Sequence, residues 1–109
     1  MKGKIVLVHF PFTDLSDTKL RPALVIHEND EDVVVAFISS RVPVQYSGTE
    51  LFIAENHPDF SLTGLKVPSV IRFDKIATLS RDLLEGEIGE VSPSLAKGCN
   101  DVMQDFFRI

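Results

Sequence analysis

A chain of 109 residues and 12.1 kDa fits one domain, residues 1–109, with no room for a second. Its 44% hydrophobic and 25% charged residues, with 6 Gly and 6 Pro, are those of an ordinary globular protein, which excludes disorder, collagen and coiled coil. A net charge of -5 argues against coating nucleic acid by bulk electrostatics, because domains that do so are usually basic.

The basic start Met1-Lys2-Gly3-Lys4 leads into an apolar stretch that His9 and Pro11 interrupt, with no small-residue cleavage site after it. Ile5 to Phe10 reads as a strand that leaves its sheet at Pro11. Ile5 and Leu7 lie on one face and Val6, Val8 and Phe10 on the other, so both faces call for burial. Thr13 to Leu20, with Asp14, Ser16, Asp17 and Thr18, is turn-prone and reads as a loop. Pro22 opens a second strand, Ala23 to His27, and the acidic Glu28-Asn29-Asp30-Glu31 is a tight connection to a third, Asp32 to Ser39. Two short strands across a short turn point to an antiparallel hairpin. The longest apolar run, Val33 to Ile38, falls far short of the roughly 20 residues that a membrane-crossing helix needs.

After Arg41-Val42-Pro43, Glu50 to Ala54 gives a further short strand, Asn56 to Pro68 is irregular, and Ser69 to Phe73 is extended again. Ile76 to Leu79 adds one more pairing element, and Ser80 caps a short turn over Arg81 to Leu84. Ser92 followed by Pro93 opens a terminal helix, whose Leu95, Cys99, Val102, Met103 and Phe106 recur along one face. Many short strands and a single terminal helix imply a mainly β fold, a small curled antiparallel barrel with a helix packed on it. A parallel α/β fold lacks the crossover helices it needs.

His9, His27 and His57 are far apart and no CxxC, HxH or HExxH spacing occurs, so neither a metal nor a cofactor is expected. No glycine-rich phosphate loop is present either. Cys99 reads as a buried small hydrophobe; alone it cannot form an internal disulfide, which fits a reducing cytoplasm.

The charges are unevenly spread. Acids crowd Glu28 to Asp32 and the stretch from Leu79 to Ile109, whereas Pro11 to His27 and Ser39 to Lys75 are balanced, which leaves room for a local cationic site on an acidic body. Arg21 stands where a polar loop becomes a strand. It is either a rim arginine paired with Asp14 or Asp17 or a guanidinium aimed at a phosphate. Ser39 and Ser40 close the third strand, and hydroxyls there commonly satisfy local backbone. A hairpin of the second and third strands brings Arg21 and Ser39 to one end of the sheet. Arg72 and Asp74 share a strand face, either as an exposed ion pair or as a cation and carboxylate lining a groove.

The run Lys19-Leu20-Arg21-Pro22-Ala23-Leu24-Val25-Ile26 resembles the R-P-A-L-V pattern of the MazF/PemK family of toxin endoribonucleases. The opening Ile5 to Phe12, the strand end Phe37-Ile38-Ser39-Ser40, Thr63-Gly64-Leu65 through Ser69-Val70-Ile71-Arg72, Ile88-Gly89 and the final helix match in order, over almost the whole chain. The resemblance implies an SH3-like barrel that dimerises, cuts single-stranded RNA without metal and is silenced by a cognate antitoxin. On it, Arg21 matches the catalytic arginine, Ser39 falls where many members carry a catalytic or substrate-binding Thr or Ser, and Arg72 and Asp74 fall on an Arg-x-Asp that serves catalysis in the PemK branch.

Two departures matter. His9 stands where an acid is common, and the loop before Arg21 offers Asp14 and Asp17 instead of the His or Glu of some branches. The general base is thus Asp74 or His9. Asp14, Lys19, Ser40, Lys66 and His9 are the candidate substrate contacts. Two rivals share the fold. A gyrase-binding toxin similar to CcdB relies on a C-terminal Trp-Gly-Ile, whereas this chain ends Phe107-Arg108-Ile109 and has no Trp. A peptide-binding SH3-like module needs an aromatic groove, for which one Tyr is thin material.

Overall fold

A computed structural model describes residues 1–9, 19–45 and 47–109. Six strands and one helix follow in order: β1 (Lys4–His9), β2 (Leu20–Glu28), β3 (Asp32–Ser39), β4 (Glu50–Ile53), β5 (Ser69–Ser80), β6 (Leu84–Glu90) and α1 (Pro93–Phe106). All pairings are antiparallel and the sheet order is β4-β5-β3-β2-β1-β6.

The two apolar faces of β1 are both buried. Ile5 joins a cluster with Leu24, Ile38, Ile71 and Phe73 that α1 covers through Leu95 and Cys99. Val6 and Val8 join a second cluster with Ala23, Val25, Val33, Val35 and Leu79. Truncating a side chain buried as deeply as Phe73 costs about 3–5 kcal/mol, so this packing rather than strand propensity holds the sheet. Phe10 and Pro11 lie outside the described residues, as does the expected loop except for Lys19 and Leu20.

The hairpin of β2 and β3 forms as its residues suggest. Asn29 Oδ1 accepts from the backbone N–H groups of Glu31 and Asp32 at 3.0 and 2.8 Å, and the Asn29 N–H donates to the Asp32 carbonyl at 3.0 Å, so side chain and backbone close the turn together. β2, however, starts at Leu20 rather than after Pro22. Leu7 pairs Pro22 and Val8 pairs Arg21 from the β1 side, while pairing to β3 begins only at Ala23, past the proline that has no N–H to give.

β5 is one strand where two were expected. Its register against β3 jumps from Ala36 opposite Ile76 to Phe37 opposite Arg72, so Phe73, Asp74 and Lys75 bulge without breaking the strand. β6 was not expected at all: Leu-Glu-Gly-Glu-Ile-Gly-Glu carries little β propensity, and β1 recruits it with two register shifts. Within the segment expected to be irregular, Phe60–Thr63 forms a 3-10 turn.

The sheet curls but does not close. Among the described residues β4 and β6 are its two edges and no ladder joins them, so the expected barrel is an open one. The 3-10 turn packs against β6 instead. At the C-terminus, Ser92 Oγ accepts from the N–H of Leu95 at 3.2 Å and Pro93 takes the first helical turn, the cap expected from the sequence. Val102 and Met103 pack on the core, but Phe106 is exposed, its ring tilted 58° against that of Phe107 with centroids 5.1 Å apart. Among the described residues no helix is long and apolar enough to cross a membrane.

Candidate active site

One end of the sheet opens into a cleft of about 610 Å³. Four segments build it: Leu7 of β1, Arg21 and Pro22 at the start of β2, Phe37 to Arg41 at the end of β3, and Gly64 to Val67 with Ser69 before and in β5; Ile88 of β6 completes the wall. The hairpin register explains the first meeting, because the start of β2 must neighbour the end of β3. Arg21 and Ser39 therefore share one cleft, as the sequence leads one to expect.

The floor is apolar, formed by Leu7, Pro22, Ile38, Leu65 and Ile88, while Arg21, Ser39, Ser40, Arg41 and Lys66 supply polar groups. Among the described residues, no carboxylate lines it. On a chain of net charge -5 this is a local cationic site. Arg21 is exposed and has no hydrogen-bond or ion-pair partner among the described residues. The rival partners Asp14 and Asp17, and with them Asp14 as a substrate contact, lie outside the described residues. Ser39 Oγ accepts from the N–H of Arg41 at 3.0 Å. With that lone pair used, the hydroxyl proton is available to donate into the cleft.

The wall after the 3-10 turn is set by side-chain hydroxyls. Thr63, fully buried, donates to the carbonyl of Phe60 at 2.6 Å and accepts from the N–H of Leu65 at 3.2 Å. Ser69 Oγ donates to the carbonyl of Val67 at 2.8 Å. These bonds fold the Gly64–Ser69 segment over the cleft and place Lys66 on it.

Not every candidate residue gathers there. Ser40 and Lys66 line the cleft; Lys19 and His9 do not. His9 Nε2 instead meets Glu85 Oε1 on β6 at 2.7 Å. Arg72 and Asp74 are also outside the lining and hold one another: Arg72 Nε donates to Asp74 Oδ1 at 3.0 Å and Nη2 to Oδ2 at 2.7 Å. The bulge in β5 lets Asp74 fold back on Arg72, whose strand partner Phe37 forms part of the cleft wall. Hydrogen bonding from Arg72 holds the Asp74 carboxyl below its ordinary range and, reciprocally, raises Arg72. Glu50, whose side chain is 6% exposed, lies 3.9 Å from Arg72 Nε and accepts from the backbone N–H of Ser47 at 2.7 Å. The pair is therefore neutralised before any ligand arrives.

Sequence reasoning missed Arg41 and the apolar floor. Arg41 follows the two serines directly and reads as the start of a connection; only the turn made by Ser39 Oγ puts it on the cleft. Leu7 reads as core, because a cleft floor and a core require the same residue types. Among the described residues, no group of three or more His, Cys, Asp or Glu is placed to hold a metal.

A cationic rim over an apolar floor suits an anion attached to a flat apolar group. The guanidinium can grip a phosphate with two N–H groups, and a base can rest on Leu7, Ile38 and Ile88. A search of curated proteins returns no match. Among solved structures, the chain is similar to the toxin MazF-mt6 of Mycobacterium tuberculosis (TM-score 0.72, 21% identity, covering 94% of this chain and 93% of that one). It is also similar to an endoribonuclease in complex with its cognate antitoxin from a mycobacterial species (TM-score 0.70, 18% identity, 96% and 91% covered). Likeness at such identities concerns the fold. The family model described as PemK-like, MazF-like toxin of type II toxin-antitoxin systems matches residues 1–107, and the chain belongs to that family.

Proposed function

We propose that this toxin is an endoribonuclease that cuts single-stranded RNA selectively for sequence, needs no metal, and is silenced by a cognate antitoxin. The observation that carries this reading is the cleft in which Arg21 faces the same space as the Ser39 hydroxyl, with neither an ion-pair partner for Arg21 nor a carboxylate in the lining among the described residues. In the proposed step the ribose 2′-oxygen attacks the adjacent phosphorus while the bond to the 5′-oxygen breaks. The products are a 2′,3′-cyclic phosphate and a 5′-hydroxyl. Two negative oxygens develop on the phosphorane, and a donor already aimed at them lowers the barrier.

A guanidinium is a poor base, and Arg21 takes the charge-stabilising role. Ser39 donates a hydrogen bond to the phosphate, and the departing 5′-oxygen takes its proton from solvent water. Asp74 takes the general-base role, for which it must turn from Arg72 toward the cleft; hydrogen bonding from Arg72 keeps it ionised, the form that accepts the 2′-hydroxyl proton, although the same contact weakens its basicity. His9 would first have to release Glu85. Lys66, Ser40, Lys19 and Asp14 serve the RNA groove. The single domain dimerises, with the exposed Phe107 beside Phe106 at the end of α1 as the apolar contact between copies.

The test is incubation with mixed-sequence RNA in EDTA, followed by mapping of the ends. Cyclic phosphate and 5′-hydroxyl ends at recurrent sequences are expected. No cleavage, or cleavage only on addition of a divalent metal, would refute the reading. Light scattering checks the dimer, and a monomer at micromolar concentration would refute it.

A further inference from the structure

Some of the 11 Lys and Arg pair with carboxylates, and three line the cleft. Arg72, Arg81, Lys4 and Lys97 each lie within 4.0 Å of a carboxylate. Arg21, Arg41 and Lys66 line the cleft and have no ion-pair partner among the described residues. In a chain with 16 acids against 11 Lys and Arg, three cations around one cavity make its described lining locally cationic. Arg41 is the member of this group that no reading of the sequence singles out.

Its placement has a definite cause. β3 ends at Ser39, and the Ser39 hydroxyl accepts from the Arg41 N–H at 3.0 Å, bending the chain so that residue 41 returns to the cleft that residue 39 already lines. One hydroxyl thus does two things. It fixes the backbone of Arg41 and leaves its own proton to point at a ligand. The Arg41 side chain is exposed and lines the same cleft as Arg21 and Ser39, within reach of a phosphate chain laid along it.

We infer that Arg41 binds a phosphate next to the scissile one, so that the cleft engages a run of three phosphates through Arg21, Arg41 and Lys66. The inference rests on the endoribonuclease reading above and extends it to a residue that sets how the strand is held. An acidic protein segment is the rival occupant. The apolar floor beside the cations favours nucleic acid, because bases and phosphates alternate along one strand.

The experiment measures binding of a mixed-sequence single-stranded oligonucleotide with 2′-deoxy sugars, which lacks the internal nucleophile, as salt is raised between about 50 and 200 mM. For a single strand each neutralised phosphate adds about 0.7 to the slope of log affinity against log salt, so the unmodified protein should show a slope near 2. Arg41→Gln should lower that slope by about 0.7, and Arg41→Lys, which keeps the charge, should restore it. Folding of both variants is checked by their melting transitions. An unchanged slope in folded Arg41→Gln overturns the inference while leaving the endoribonuclease reading in place. So does a loss of antitoxin affinity with oligonucleotide binding intact. Failure of the unmodified protein to bind the oligonucleotide or to cut RNA overturns both.

Discussion

A Cβ placed on Gly64 would lie 2.0 Å from the carbonyl oxygen of Ile88, so the turn before β5 rests on the backbone of β6 with no room for a side chain. Gly64 also has φ of 73°, the left-handed region that glycine adopts without penalty. Across the same contact, a Cβ on Gly89 would lie 2.3 Å from the backbone carbonyl of Thr63. This backbone-on-backbone seat holds the edge that hydrogen bonds leave open between β4 and β6, and it sets the cleft wall. Gly64→Ala and Gly89→Ala should each cost about 2–4 kcal/mol in denaturant unfolding. RNA cleavage should fall further than the unfolded fraction explains, because Leu65 and Lys66 shift with the wall. Wild-type stability in both variants would contradict the seat.

The β1–β2–β3 frame and α1 were legible in the sequence because their signals are local. Asn29 supplies a turn, Ser92-Pro93 a cap, and Ile5 to Val8 an apolar run. The meeting of Arg21 with Ser39 followed from the hairpin alone. β6 was not legible: two glycines and three glutamates hide a strand that exists because β1 needs a partner and because Gly89 admits the turn at Thr63. The continuity of β5 was hidden by its bulge, a product of pairing with β3. The position of Arg41 depends on a hydroxyl contact that no periodicity carries.

The Arg72–Asp74 contact fixes a pH dependence. Asp74 is held below its ordinary value of 3.8, first by hydrogen bonding from Arg72. A base must be ionised, so the acid limb of the cleavage profile should lie below that value, and Arg72→Gln should move it upward. Asp74→Asn should lower cleavage by about a hundredfold or more. The depressed carboxyl also adds stability that is present above 3.8 and is lost as pH falls through its folded value. Unaltered cleavage by Asp74→Asn, with only the acid stability changed, would reduce the pair to a structural one.

Burial pushes the Cys99 thiol up to about 12, so almost no thiolate exists at neutral pH. Alkylation by iodoacetamide should be slow in the native protein and should accelerate only as denaturant unfolds it. The cleavage rate should be unaffected by reagent under native conditions. Rapid native labelling would show that α1 detaches from the core more readily than its packing through Leu95 implies.

Ser39 and Arg21 should act on one phosphate, which makes their effects non-additive. Ser39→Ala should lose less activity than Arg21→Ala, and the double variant should lose less than the product of the two. Independent, multiplicative losses would place the two groups on different phosphates.

The decisive measurement is the RNA cleavage rate of Arg21→Ala, made on protein whose melting transition matches the parent. A loss of about a hundredfold or more is expected, the scale of removing one donor to the developing charge. Arg21→Lys should restore little, because an ammonium has no bidentate fork. Full cleavage by correctly folded Arg21→Ala would contradict the assignment of this cleft as the catalytic site.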